Sequence, residues 1–227
     1  MDIGIVVATA TEMAALDNAI RNTAWTENAG GFAVRHYRIG DHKIHAVQSG
    51  TGEIRAAAAT QALIIGFRCQ LIANFGVCGA LAIGIPAAQP IIVMSVVHYD
   101  RDVSAVDNCE PEKYEPFNSI HIPATPAFVN RAVNAVTMYP ATCASGDKFI
   151  GDAEKKREMY LTYGTEICDM ESAGILITAH QSGIPTLVIK AVSDDCDGGA
   201  KEYWATVESA AANCAEALVK VLEGVSI

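Results

Sequence analysis

Hydrophobic positions along the chain follow two rhythms. Ile3–Ala8, Leu71–Phe75, Ile91–Val97 and Thr186–Val192 are apolar at nearly consecutive positions, the pattern of strands covered on both faces. Phe32–Ile39 and Lys43–Val47 mix apolar and polar positions in rough alternation, and Gly40-Asp41 between them signals a hairpin. Thr142–Ser145 is a further short strand. Helical spacing fills the intervals: Thr11–Ile20, the alanine-rich Glu53–Gly66, Ala127–Thr137, Ala153–Tyr163, Met170–Gln181 (entered from Glu166–Asp169) and Glu202–Leu222. Buried strands alternating with helices, plus an early hairpin, predict a three-layer α/β/α sandwich around a mixed central β-sheet. No repeat, low-complexity tract or linker interrupts the pattern, so residues 1–227 read as one domain. The least regular stretch is Asp107–Ile122, a long acidic loop with two prolines, and long loops in compact domains are often functional.

Composition narrows the function classes. Half of the 227 residues are apolar (51%) and 19% are charged, which excludes a disordered chain. A net charge of −10 repels phosphate backbones and anionic lipid, so neither nucleic acid nor a membrane is an expected partner. Cys69–Val97 carries no charge, but its prolines, glycines, Asn74 and Gln70 fit two buried strands better than a membrane span. The N-terminus has no basic region and does not read as a signal peptide. Seven widely spaced cysteines include no CxxC pair and read as reduced thiols of a cytoplasmic protein. The six histidines form no HExxH-like pattern, and no metal is expected.

Ligands of open α/β sheets bind at the carboxyl ends of strands. The polar segments at those ends are Thr9–Glu12, Ser49–Glu53, Gly76–Gly79, Ser145–Phe149, Met170–Glu171 and Ser193–Asp195. Ser49–Arg55 approaches a GxGxxG turn, but Arg55 replaces the third glycine and the acidic residue of a dinucleotide site is missing. Glu12 and Glu171 each lie in a first helical turn, where an acid can simply favour the helix dipole. Asp194 follows a strongly apolar strand that contains Lys190. A buried lysine needs a partner, for which Glu12 or Glu171 is a candidate. Together Glu12, Glu171 and Asp194 form a three-carboxylate site. Cys78, Gly79, Ser193 and Lys190, from the same strands and their ends, are counted with the residues that contact the ligand.

Several segments match a known family in register. Ile3-Gly-Ile-Val-Val-Ala-Thr-Ala-Thr-Glu-Met13, Ser49-Gly-Thr-Gly-Glu53, Asn74-Phe-Gly-Val-Cys-Gly-Ala80, Asp100-Arg-Asp-Val-Ser-Ala105, Ser145-Gly-Asp-Lys-Phe-Ile150, Asp169-Met-Glu-Ser-Ala173 and Lys190-Ala-Val-Ser-Asp194 follow one another in order. The chain resembles the nucleoside phosphorylase/nucleosidase superfamily, with its closest likeness to 5′-methylthioadenosine/S-adenosylhomocysteine nucleosidases. The resemblance implies hydrolysis of the N-glycosidic bond of an adenine nucleoside, without metal or organic cofactor. It implies Asp194 as the acid that protonates purine N7 and Glu12 as the base that takes a proton from water. It further implies Met170 and Glu171 on the ribose, Phe149 stacked on the base, the Ile150 backbone reading the base edge, and a homodimer whose partner helps close the pocket. The chemistry agrees: C1′–N9 cleavage builds positive charge on the sugar and negative charge on the base, which carboxylates and a proton donor stabilise. The loop Asp107–Ile122 is the expected lid.

The chain departs from the family pattern in places. Val77 replaces a serine, Lys190 replaces an arginine, and the acidic loop around Cys109–Glu115 leaves the 5′ substituent open. Arg55 could bind phosphate, which keeps a purine nucleoside phosphorylase as an alternative. Glu12 in the first loop argues against it, because a glutamate there repels phosphate. A nucleoside-binding protein without turnover is the third reading.

Overall fold

The computed structural model describes residues 1–21 and 25–224. In chain order the strands are β1 (Asp2–Val7), β2 (Trp25–Ala29), β3 (Phe32–Ile39), β4 (His42–Gln48), β5 (Leu71–Ala80), β6 (Ile91–His98), β7 (Ile122–Pro123), β8 (Tyr139–Ser145), β9 (Ile167–Asp169) and β10 (Thr186–Asp194). The helices are α1 (Ala10–Ile20), α2 (Glu53–Phe67), α3 (Ser104–Asp107), α4 (Pro126–Ala135), α5 (Ala153–Tyr163), α6 (Ser172–Gln181) and α7 (Ala200–Glu223).

The sheet is mixed and carries helices on both faces. β1 lies parallel between β4 and β5, and β5 continues parallel into β10. β3 joins β4 and β2 antiparallel, the predicted hairpin plus one more strand. β10 also pairs with β6, β6 with β8, β8 with β9, and β9 returns onto the end of β5. Those five strands therefore close into a ring, and β1, β4, β3 and β2 leave it as an open arm. The sequence rhythm predicted the layers but not this closure.

Side-chain alternation along a strand explains the two cores. Ile3, Ile5 and Val7 of β1 pack with α1, α4 and α7, while Val6 between them packs with α2 and α6. β10 repeats the device: Leu187, Ile189 and Ala191 join the first core, and Val188 and Val192 join a third cluster with β6 and β8. Lys190 falls on that second face of β10, fully buried. Because β1, β5 and β10 run parallel, their carboxyl ends meet on one side of the sheet. Among the described residues, no helix is long and apolar enough to cross a membrane.

Candidate active site

A cavity of about 400 Å³ opens at those carboxyl ends, a volume that suits a nucleoside-sized ligand. Its wall includes Glu12, Glu171 and Asp194, drawn from three separate segments of the chain.

Glu12 is the third residue of α1. Thr9 caps the helix by accepting from Glu12 N, and Glu12 Oε2 accepts from Thr9 N at 2.9 Å, a complete capping box. The same oxygen accepts from Ala8 N (2.9 Å), and Oε1 accepts from Val77 N (3.1 Å). The dipole role and the site role are thus one arrangement: the helix start aims the carboxylate across the β1–β5 seam. Gly76 makes room for it, since any Cβ there would collide with Glu12 Oε1. Val77 meets Glu12 through its backbone N–H, so the lost serine hydroxyl removes none of these three bonds.

Asp194 ends β10 and is buried. Ser193 Oγ donates to Asp194 Oδ1 (2.9 Å) and also reaches Cys78 O (3.2 Å). Lys156 Nζ from α5 donates to Asp194 Oδ2 at 2.5 Å. The same ammonium donates to Asp195 O (2.6 Å) and Gly198 O (3.1 Å), so all three of its protons are engaged and the β10–α7 turn is tied to the acid. Sequence reasoning missed Lys156. Its signal was its place on the α5 face that carries Met159, where a lysine has no business unless it is paired.

Glu171 is the N-cap residue of α6, and its Oε1 accepts from Gly52 N at 3.0 Å. Gly52 stands at φ 106°, a conformation that favours glycine, and a Cβ there would lie 2.7 Å from Asp147 Oδ1. Burial, reinforced by the Asp169 charge, pushes the Glu171 carboxyl up to about 7. Beneath it lies a buried polar cluster. Lys190 Nζ meets Asp169 Oδ2 at 2.7 Å, so Lys190 pairs with Asp169 and not with Glu12 or Glu171 as the sequence suggested. Burial opposes the Lys190 charge, but Asp169 and Glu171 outweigh it and hold the ammonium above the usual lysine range. Lys190 lies behind the cavity and does not line it, which corrects its expected contact with the ligand; β10 alternation turns it toward Asp169.

The other expected residues reach the wall: Cys78, Gly79, Phe149, Ile150, Met170 and Ser193. Phe149 stands edge-on to Tyr203, ring centroids 5.9 Å apart, and Tyr203 and Trp204 bring α7 to the cavity mouth. These two aromatics were also missed; the surrounding helix pattern gave no sign of which strand end it would meet. Two further expectations change. Arg55 folds back to donate to Ser49 O (2.8 Å) and, among the described residues of the cavity wall, does not appear. The loop Asp107–Ile122 is absent from that wall as well: Tyr114 and Phe117 anchor it against the core beside β6 and α6, and Tyr114 bonds His98 at 2.7 Å. Its aromatic residues pack against that apolar cluster, and the loop does not line this cavity.

A mixed sheet between helix layers thus carries a carboxylate-lined cavity at the ends of its parallel strands, the architecture of an α/β protein with a small-molecule site. The family model of the phosphorylase superfamily matches residues 2–225, and the chain belongs to that superfamily. It is 27% identical to a 5′-methylthioadenosine/S-adenosylhomocysteine nucleosidase of Maridesulfovibrio salexigens over 98% of this chain and 99% of the relative. A Staphylococcus aureus protein of the same name is 28% identical over 97% of this chain and all of the relative. In fold it is similar to the S-adenosylhomocysteine nucleosidase of Streptococcus pyogenes in complex with 5-methylthiotubericidin (TM-score 0.92, 23% identity, 100% and 98% coverage). It is equally similar to the futalosine hydrolase of Helicobacter pylori (TM-score 0.91, 21% identity, 99% and 98% coverage).

Proposed function

We infer that this protein hydrolyses the N-glycosidic bond of adenine nucleosides of the 5′-methylthioadenosine and S-adenosylhomocysteine type and releases adenine. The observation that carries hydrolysis over phosphorolysis is the seat of Glu12. Three backbone N–H groups, of Ala8, Thr9 and Val77, converge where an anion would bind, and the enzyme's own carboxylate fills them. Phosphate would have to displace Glu12 or lie against it, a like-charge contact. Arg55, the cation that the sequence offered for phosphate, is turned away to Ser49 O.

The roles follow from position. Asp194 passes a proton to N7 of the departing base, the Lys156 ammonium bonded to its Oδ2 supplying it, and Glu12 takes the proton of the attacking water. Glu171 and Met170 receive the ribose, Phe149 stacks on the base, and the Ile150 backbone meets its edge. Developing positive charge on the sugar is stabilised by the carboxylates. The names of the relatives support a thioether at the 5′ carbon. Ile54, Phe149 and Trp204 are large apolar side chains left exposed, Phe149 and Trp204 at the cavity mouth, and a homodimer would cover them. Light scattering that returned the mass of a single chain would refute the dimer. Seven unpaired thiols suit a cytoplasmic setting.

Chromatography of products tests the activity. The substrates are 5′-methylthioadenosine, S-adenosylhomocysteine, adenosine, inosine and futalosine, each with and without phosphate. Adenine and a free 5′-thio sugar are expected in both conditions; release only from inosine or futalosine would overturn the substrate assignment.

A further inference from the structure

Glu53 is buried at the start of α2 and does not line the cavity, and none of the roles above uses it. Its surroundings fix the number of protons it must hold. Ser145 Oγ accepts from Ala173 N (3.1 Å) and also touches Glu53 Oε1 and, at 2.5 Å, Asp169 Oδ1. A hydroxyl has one proton to give. Two ionised carboxylates against one hydroxyl would therefore leave one of them facing a lone pair. Asp169 is the ionised one: Lys190 and Ser172 Oγ both donate to its Oδ2. Ser145 then gives its proton to Asp169, and the Glu53 side must supply its own. Glu53 Oε2 already accepts from Gly174 N, which assigns the proton to Oε1.

We propose that Glu53 is a neutral carboxylic acid that donates to Ser145, and that this bond clamps the first turn of α2 to β8 and α6 and thereby positions Glu171. The link is short: Gly52, the preceding residue, is the N–H donor to Glu171 Oε1, and Gly174 sits three residues after Glu171. The groups around Glu53 agree. Asp169, Glu171 and Asp147 face it with negative charge, Tyr99 and Tyr114 lie farther off, and the cation of the cluster, Lys190, is taken by Asp169. Burial, with Asp169 next, pushes the Glu53 carboxyl up to about 8. Ionisation breaks the clamp, so Glu171 loses its fixed partner as pH rises through that value. Glu53 is a positioning residue, and its state does not depend on which nucleoside is cleaved.

The test uses isosteres. In Glu53→Gln the amide N–H₂ donates to Ser145 and the amide oxygen accepts from Gly174, so every bond is kept. Infrared spectra at neutral pH are expected to show a protonated-carboxyl C=O band in the wild type that Glu53→Gln lacks, and that disappears as wild-type pH passes about 8. Glu53→Gln is expected to keep kcat/KM within about threefold of wild type and to lose the alkaline decline that Glu53 ionisation causes, whereas Glu53→Ala loses both bonds and activity. If Glu53 is ionised, no band separates the two proteins, and Glu53→Gln, with its amide mismatched to Ser145 or Gly174, falls with Glu53→Ala or fails to fold. Either result overturns the proposal.

Discussion

Lys156→Met removes the cation from Asp194 while filling nearly the same space. Both partners are almost fully buried, and their N–O separation is 2.5 Å. Truncating one member of such a pair leaves the other charge without a partner, at about 3–5 kcal/mol. The carbonyls of Asp195 and Gly198 lose their donor too, but they lie on a turn that water can reach. For a chain of this length the cost corresponds to a fall in Tm of roughly 6–20 °C. Asp194→Asn alone removes the charge and leaves Lys156 an amide oxygen, so it costs less than the lysine change. The two substitutions act on one bond, so a double-mutant cycle followed by urea unfolding is expected to show a coupling of at least ~1 kcal/mol. Adenine release by Lys156→Met falls in kcat more than it rises in KM, because the acid is misplaced while the ribose contacts survive. Additive single-mutant effects within ~0.5 kcal/mol would refute the pair as a structural unit.

Two further outcomes follow from the same geometry. Asp194→Asn and Glu12→Gln each are expected to lower kcat by about 10²–10⁴ with the fold intact by circular dichroism, the range of a lost general acid or base; a rate within tenfold of wild type for either removes that residue from its role. Stability should fall as pH rises from about 5 to about 8. Glu53 and Glu171 hold their protons in the folded state up to about 8 and about 7, whereas the unfolded chain releases them near the ordinary value of 4.5. The folded state therefore binds more protons in that window and is favoured at its acid end, and urea midpoints that stay flat or rise with pH would contradict both assignments.

Layers and carboxylates were readable in the sequence because each rests on a local pattern. β-Branched runs marked β1, β6 and most of β10, and strand ends marked Glu12, Glu171 and Asp194. β2 escaped because Trp25–Ala29 is exposed and polar and is a strand only through pairing with β3. β5 was read as ending at Phe75 because Gly76 and Gly79 look like breakers. The strand continues to Ala80 since β10 and β9 pair along it, and Gly76 is a glycine because Glu12 occupies the space of its side chain. Lys156 and Lys190 share a lesson. A buried lysine could be recognised from its apolar neighbours, but its partner lies 38 residues away in one case and 21 in the other, and only the fold chooses it. The hydrogen-bond count around Glu53 likewise depends on β8, β9 and α6 meeting, which no local rhythm encodes.

The most direct test of the central claim is the origin of the oxygen that replaces adenine. The protein would be incubated with 5′-methylthioadenosine in heavy-oxygen water containing phosphate, and the sugar product weighed by mass spectrometry. Attack by Glu12-activated water predicts free adenine and an unphosphorylated 5-methylthioribose carrying one heavy oxygen at C1. An unlabelled sugar 1-phosphate would show that phosphate is the nucleophile and that the seat of Glu12 has been misread.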